Sequence, residues 1–224
     1  MFTRKTIRFL KDLQANNNRD WFQENKQRYE DEVRTPALAF VEAMEPALHK
    51  VSPYINASSK KVGGSLMRVY RDTRFSKDKT PYKTNIGIHF RHARARDVHA
   101  PGYYVHIEPG DIFFGAGIWQ PDSPTLLAVR TLIDEHPKEW KTVKQKVCTR
   151  GGLELQGSSL KRAPKGFDPE HSLIDDLKRK DFIAITNLPQ NAIIDKDFTK
   201  TVAKLVKTSA PLMKFICDAN DLMF

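Results

Sequence analysis

The hydrophobic residues of the first fifty positions recur at the three- and four-residue spacing of amphipathic helices. The first set predicts a helix that ends at Asn16-Asn17-Asn18, and it consists of Ile7, Phe9, Leu10 and Leu13. Asp20 fits the cap of a second helix, with Gln23 at its capping-box position. Pro36 permits a third helix, in which Pro46 is a candidate kink. The amino-terminal part of the chain is therefore predicted to be helical.

From residue 66 onward the pattern alternates between apolar and polar residues, which is typical of β-strands. Leu66–Arg71 and Thr84–Phe90 both alternate in this way. Tyr103–Glu108 and Ile112–Gly117 flank the turn dipeptide Pro109-Gly110, and this arrangement predicts a β-hairpin.

A two-residue loop in this hairpin determines which residues face each other. It places Val105 opposite Phe114 and His106 opposite Phe113, so that one face of the hairpin is apolar. The second face then carries Tyr104, His106 and Glu108 across from Phe113, Gly115 and Gly117. The two glycines leave room above that face for a ligand or for a packed helix, and we expect the helix.

Helical spacing returns after the hairpin, beginning at Ser123 and again after Pro137. A further strand is predicted at Phe182–Leu188, and a carboxy-terminal helix begins near Phe198. Because helices and strands occur in blocks without a βαβ rhythm, we predict an α+β fold with a mainly antiparallel central sheet. Helices from both ends of the chain are expected to pack around that sheet. Residues 151–166 fit a linker or a long loop.

Composition narrows the class of protein. The chain has 224 residues, 40% of them hydrophobic and 10% aromatic, which is typical of a globular protein and is sufficient for one large domain or two small ones. No apolar run approaches the ~18 residues of a membrane span, and the first residues lack a secretory signal. Cys148 and Cys217 show no metal-type pairing. We expect a cytoplasmic protein with no membrane partner and make no prediction of its oligomeric state.

The formal net charge of +10 is concentrated in one segment. Residues 60–96 contain eleven Lys and Arg residues but only Asp72 and Asp78 as carboxylates. A local concentration of positive charge attracts anions, although a solvated basic surface would have the same composition.

The densest part of this segment is residues 68–83, which we call the basic loop. Five of its six cations are candidate ligand-binding residues, because guanidinium and ammonium groups bind phosphate and carboxylate: Arg68, Arg71, Arg74, Lys79 and Lys83. Asp72 is placed to orient Arg68 or Arg74. The competing interpretation is an ion network that only stabilises the fold.

If the protein is an enzyme, Asp72 or Asp78 is the candidate general base, and Tyr82 or His106 is the candidate proton donor or orienting group. The sequence makes no prediction as to whether catalysis occurs. Phosphate-loop, dinucleotide-binding and zinc-protease motifs are missing. Four histidines, His89, His92, His99 and His106, match no common zinc spacing and have basic neighbours. We therefore predict no metal site and no cofactor.

The basic loop resembles the signature of a known family, called domain of unknown function 2461. The residues that carry this resemblance are Arg68-x-x-Arg71-Asp72-x-Arg74-Phe75-x-x-x-Asp78-Lys79-x-x-Tyr82. Three other blocks also resemble the family: Asn16-Asn17…Trp21-Phe22, Gly115-Ala116-Gly117-Ile118-Trp119-x-Pro121 and Arg162-x-Pro164-Lys165-Gly166-Phe167…His171. The resemblance implies a single domain over residues 1–224 and supplies no activity.

Three functional hypotheses follow from these residues. The first is a pocket for a small anionic ligand that carries a phosphate, bound by the cations of the basic loop. The second is a nucleic-acid-binding module over residues 60–96, with Tyr70, Phe75 and Tyr82 stacking on bases and with Arg91, Arg94 and Arg96 lacking carboxylate partners before Asp97. The third is a basic surface that docks an acidic protein and does no chemistry. Carboxylates within the cationic cluster favour the first.

Overall fold

The computed structural model describes residues 1–94 and 99–224, and its architecture is α+β. The helices before the sheet are α1 (Arg4–Ala15), α2 (Arg19–Glu24), α3 (Lys26–Tyr29) and α4 (Thr35–Val51), with a π-helical turn at Glu30–Arg34. Strands β1 (Ile86–Arg91), β2 (Gly102–Glu108) and β3 (Asp111–Ile118) follow. The remaining elements are α5 (Ser123–Glu135), α6 (Pro137–Lys144), a π-helical turn at Gln145–Thr149, β4 (Glu154–Gln156), α7 (Ile174–Leu177), β5 (Phe182–Asn187), a 3₁₀ turn at Ala192–Ile194 and α8 (Phe198–Ala219).

The five strands form one antiparallel sheet in the order β1-β2-β3-β5-β4. The predicted hairpin register is confirmed, because Val105 pairs with Phe114 and His106 pairs with Phe113. This register follows from the two-residue turn, since a slip of one residue would turn every apolar side chain to the wrong face. The predicted fold class is confirmed as well.

One face of the sheet is buried under helices. Helices α4 and α8 pack against each other, and they cover β1 and β3 respectively. The side chains on this face are fully or almost fully buried, and they include Ile88, Phe90, Tyr103, Val105 and Phe114. None of the helices in the described part of the chain combines the length and apolar character needed to cross a bilayer.

The opposite face of β2 and β3 remains half-exposed, and we call it the open face. It carries Tyr104, His106, Glu108, Phe113 and Gly115. The helix expected above it does not cover this face: α1 reaches it through Gln14, which donates to Glu108 at 3.3 Å, and Tyr104, His106, Glu108 and Phe113 stay half-exposed. An added Cβ on the buried Gly115 would contact only Ile185, at an ordinary 3.7 Å, whereas a Cβ on Gly117 would collide with the Phe182 backbone, so only the first of the two glycines leaves room.

Two local predictions need correction. Helix α2 is capped by Asn18, whose side chain accepts a hydrogen bond from Trp21 N at 2.9 Å, and Asp20 lies inside the first turn. Leu66–Arg71 does not form a continuous strand. Leu66 forms an isolated bridge to Ile88 in β1, and Tyr70 forms one to Tyr82 at the other end of the basic loop. Between these two bridges the chain leaves the edge of the sheet.

The base of the basic loop is attached to the amino-terminal helices by Asn17. Its amide nitrogen donates to Tyr82 O at 2.9 Å, and its amide oxygen accepts from Tyr82 N at 3.1 Å. The Tyr82 ring is 6% exposed and stacks on Phe22, with 4.0 Å between ring centroids. This two-part contact, which we call the Asn17–Tyr82 clamp, determines where the chain enters β1.

We expect Asn17→Ala to lower the free energy of unfolding by about 2 kcal/mol, because it removes two partly buried hydrogen bonds to backbone groups. The neighbouring Asn16→Ala is the control. Asn16 makes one exposed bond, to Asp12 O, and its replacement should cost under about 1 kcal/mol. Urea denaturation of both variants tests this difference, and equal losses would contradict the assigned role of the clamp.

Candidate functional site

The basic loop is a hairpin-like excursion with a paired stem. Arg71 N donates to Pro81 O at 2.9 Å, and Lys83 N donates to Val69 O at 2.7 Å. These bonds bring the two ends of the loop together beside the edge of β1. The structure therefore places Arg68 and Lys83 at the stem, and it places the residues between them on the projecting part.

Three of the five candidate cations bind partners within the loop. Arg71 donates to Asp78 and to Thr80, and Arg74 holds Asp72 through two bonds of 2.7 and 3.0 Å. Lys79 Nζ donates to Thr73 O, also within the loop, at 2.8 Å. These contacts fix the shape of the loop.

The two loop carboxylates are strongly acidic as a result. Hydrogen bonding from Arg74 lowers the pKa of Asp72 to about 2, and hydrogen bonding from Arg71 lowers the pKa of Asp78 to about 2. A carboxylate with such a pKa accepts a proton poorly at neutral pH, so both residues are weak candidates for a general base. Their geometry suits them to orienting the arginines.

Arg68 and Lys83 differ from the other three cations. Neither side chain has a hydrogen bond or salt bridge among the described residues. Both line a cavity of about 750 Å³ that lies between the stem, residues 60–66 and helices α2 and α3. Burial, and then the charge of Arg68, lowers the pKa of Lys83. Two positive charges thus face the same cavity and repel each other.

The rest of the cavity wall is also basic. Within the described residues its lining contains seven Lys and Arg side chains but one carboxylate, Glu30, which is paired with Arg34 at 3.0 Å. Arg91 donates to Gly63 O and Gly64 O, at 2.9 and 3.3 Å, and so holds the cavity rim in place. The cavity wall is therefore positively charged, and it also contains apolar side chains such as Phe22 and Leu38.

The predicted site residue His106 lies on the open face, in a hydrogen-bonded group. Its Nδ1 lies 3.2 Å from Tyr104 Oη, and its Nε2 lies 3.3 Å from Glu108 Oε2. The imidazole stacks on Phe113 at 4.7 Å and 8°. A Cβ on Gly87 would lie 2.7 Å from Tyr104 Oη, so the glycine leaves the space that the hydroxyl needs.

His89 connects the cavity to this group. It lines the cavity, and its ring lies 6.3 Å from the Tyr104 ring, edge to face. Burial raises the pKa of Tyr104 to about 12, so its hydroxyl stays protonated at neutral pH. A continuous row of side chains thus runs from the cavity across the open face: His89, Tyr104, His106 and Glu108.

Other predicted residues lie elsewhere. Tyr82 is buried in the clamp, so its ring faces neither the cavity opening nor the open face. His92 Nε2 donates to Met223 O at 2.8 Å, and Arg94 lines a second cavity near it. Arg96 and Asp97 lie outside the described residues. Asn85 and Thr84 were not predicted as site residues, although Asn85 contacts His106 and Thr84 donates to Glu108.

Comparison with known protein families gives one result. The family model described as "Conserved hypothetical protein (DUF2461)" matches residues 5–215. The chain belongs to this family. No curated protein and no solved structure matches the chain. The match covers the stem of the basic loop, the cavity and the open face, so these features lie within the shared part of the chain.

His89 generates a prediction about acid stability. Burial, and then the charge of Arg91, lowers its pKa from 6.5 to about 4. Between these two values the unfolded state binds the proton and the folded state does not, so folding stability falls as the pH is lowered through that window. The expected loss is about 3 kcal/mol between pH 6.5 and pH 4.

His89→Gln should flatten the stability profile in this window, because it removes the proton that only the unfolded state accepts. The exposed His49→Gln is the control and should leave the slope unchanged. Chemical denaturation at several pH values between 4 and 7 measures both slopes. Parallel profiles for wild type and His89→Gln would show that His89 is not the acid-sensitive group.

Proposed function

We propose that this protein binds a small anionic ligand carrying a phosphate group in the basic cavity. The observation that carries the proposal is the pair Arg68 and Lys83, two cations that face one cavity and whose side chains form no hydrogen bond or salt bridge among the described residues. An anion between them would replace their mutual repulsion with two charge-assisted contacts. The other cations of the wall would add a positive field that attracts the ligand.

The shape of the site supports a discrete ligand rather than a polymer. The cavity volume of about 750 Å³ lies in the range of small-molecule sites. Phe22 and Tyr29 in its lining offer apolar contact for the uncharged part of a ligand, and seven Lys and Arg side chains line the same cavity. A phosphorylated metabolite with an apolar or aromatic portion fits this distribution.

Roles for the predicted residues follow from this geometry. Arg68 and Lys83 contact the anion, while Arg71, Arg74 and Lys79 shape the loop that presents them. Asp72 and Asp78 act by orienting arginines. Tyr82 anchors the stem, and His106 belongs to the row of side chains that leads away from the cavity.

We expect Arg68→Ala to weaken binding of the best ligand from a panel of phosphorylated metabolites by at least about 10-fold, the usual cost of a charge-assisted contact. Isothermal titration calorimetry on the full chain measures the affinity. Arg74→Ala is the matched control, since it removes an arginine of the same loop that is paired with Asp72. It should change the affinity by less than about 2-fold.

Two outcomes would overturn the proposal. One is that no phosphorylated compound binds more tightly than about 1 mM, because such an affinity corresponds to only about 4 kcal/mol. The other is an equal loss of affinity in the two variants, which would show that general positive charge, rather than the cavity pair, attracts the ligand.

A second candidate function is single-stranded nucleic-acid binding, and one observation favours it. Phe75 at the projecting end of the basic loop is 95% exposed, and the Arg74 guanidinium lies 5.8 Å from the centre of its ring. An exposed aromatic ring among cations can stack on a base. Tyr70 is also exposed, whereas Tyr82 is buried and cannot stack.

Phe75→Ala separates this candidate from the first. It should weaken binding of a single-stranded oligonucleotide by about 5- to 100-fold if a base stacks on the ring, corresponding to 1–3 kcal/mol. Binding of the small ligand should be unchanged. Fluorescence anisotropy at low and moderate salt is the measurement, and a salt-independent or undetectable signal with the wild-type chain would eliminate this function.

A further inference from the structure

We propose a divalent metal site at the end of the β2–β3 hairpin, formed by His106, Glu108 and Asp111. One ligand atom from each residue can be chosen so that all three lie within 4.8 Å of one another. That spacing allows a single cation to contact all three. In the described part of the chain, no other group of three or more His, Cys, Asp or Glu residues meets this condition. The site is separate from the basic cavity and does not depend on the function proposed for it.

The hairpin brings these three residues together. His106 and Glu108 are two positions apart on β2, so both side chains point to the open face. Asp111 is the direct cross-strand partner of Glu108. The tight turn at Pro109-Gly110, in which Gly110 has φ +94°, keeps the two carboxylates on adjacent strands. The arrangement is therefore built into regular strand geometry.

The charge distribution at this place favours a cation. Directly opposed like charges on neighbouring strands destabilise a sheet, and Glu108 and Asp111 are such a pair. Among the described residues, the Asp111 side chain has no hydrogen bond or salt bridge, and the Glu108 carboxylate has no salt bridge to Lys or Arg. A bound dication would neutralise both carboxylates.

Two of the three residues are held in place by outer contacts. Glu108 Oε1 accepts from Thr84 Oγ1 at 2.6 Å and from Gln14 Nε2 at 3.3 Å, so Oε2, whose partner is His106 Nε2 at 3.3 Å, is the oxygen that would contact the cation. His106 Nδ1 faces the Tyr104 hydroxyl, and its Nε2 points toward Glu108. Such outer hydrogen bonds are how metal sites fix the tautomer and direction of their ligands.

The donor set indicates the class of metal. One imidazole and two carboxylates suit Zn²⁺, Mn²⁺ or Fe²⁺ better than Ca²⁺ or Mg²⁺, which prefer oxygen ligands throughout. Three protein ligands leave further coordination positions open to water or substrate, as in catalytic rather than structural sites. We predicted no metal from the sequence because we compared spacings among histidines. This site uses one histidine and two carboxylates across a turn.

The test is a titration of the chelator-treated full chain with Zn²⁺ alone, and with Mn²⁺ alone, by isothermal calorimetry. Wild type should bind one equivalent. Asp111→Asn should weaken binding at least about 10-fold, as loss of a ligand exceeds the effect of losing an outer contact. His106→Gln should do the same. Asp111 is exposed and its charge opposes that of Glu108, so Asp111→Asn should not lower the melting temperature of the metal-free chain.

Asp134→Asn is the matched control. Asp134 lies 3.6 Å from His171 in an imidazole–carboxylate pair that belongs to no three-residue group among the described residues. This variant should bind metal as the wild type does. The proposal is overturned if wild type binds no equivalent more tightly than 1 mM, or if Asp111→Asn binds as tightly as wild type. It is also overturned if Asp134→Asn loses binding equally. Failure of anion binding in the basic cavity would leave this result unaffected.

Discussion

The clamp between Asn17 and Tyr82 is the contact on which both proposed sites depend. The side chain of Asn17 satisfies both backbone groups of Tyr82, and Phe22 covers the tyrosine ring. Buried backbone groups must find partners, and here a single side chain provides both. The clamp therefore fixes the exit of the basic loop against helices α1 and α2, over 60 residues away in the sequence.

The three residues after Tyr82 show why this position matters. Lys83 lines the basic cavity, Thr84 donates to Glu108, and Asn85 lies 3.4 Å from His106. A shift of this short segment by one residue would exchange the sides to which these groups point. The clamp thus positions one cation of the cavity and two polar contacts of the open face at the same time.

Regular elements were predictable from the sequence, because their period and turns encode them. The hairpin register followed from the alternation and from Pro109-Gly110. The cap of α2 was predicted at Asp20 and lies at Asn18. A cap residue needs an extended backbone, and the residue type alone does not specify that conformation. Contacts between residues distant in sequence could not be predicted in this way. The local pattern gives no sign that Asn17 pairs with Tyr82 or that a cavity lies beside Arg68.

The composition of the basic loop concealed a division among its cations. Arg71 and Arg74 have carboxylates seven and two residues away, and these pairs form in the structure. Asp72 and Asp78 are equally near Arg68 and Lys83 in the sequence, but the side chains of Arg68 and Lys83 form no salt bridge among the described residues and line the cavity. At the other end of the row of side chains that begins at His89, the excess charge is negative. Glu108 and Asp111 have no Lys or Arg partners there among the described residues. Uncharged Tyr104 and Phe113 lie on the face between. The row therefore carries cations at the cavity end and carboxylates at the hairpin end, and each proposed site attracts an ion of the opposite charge.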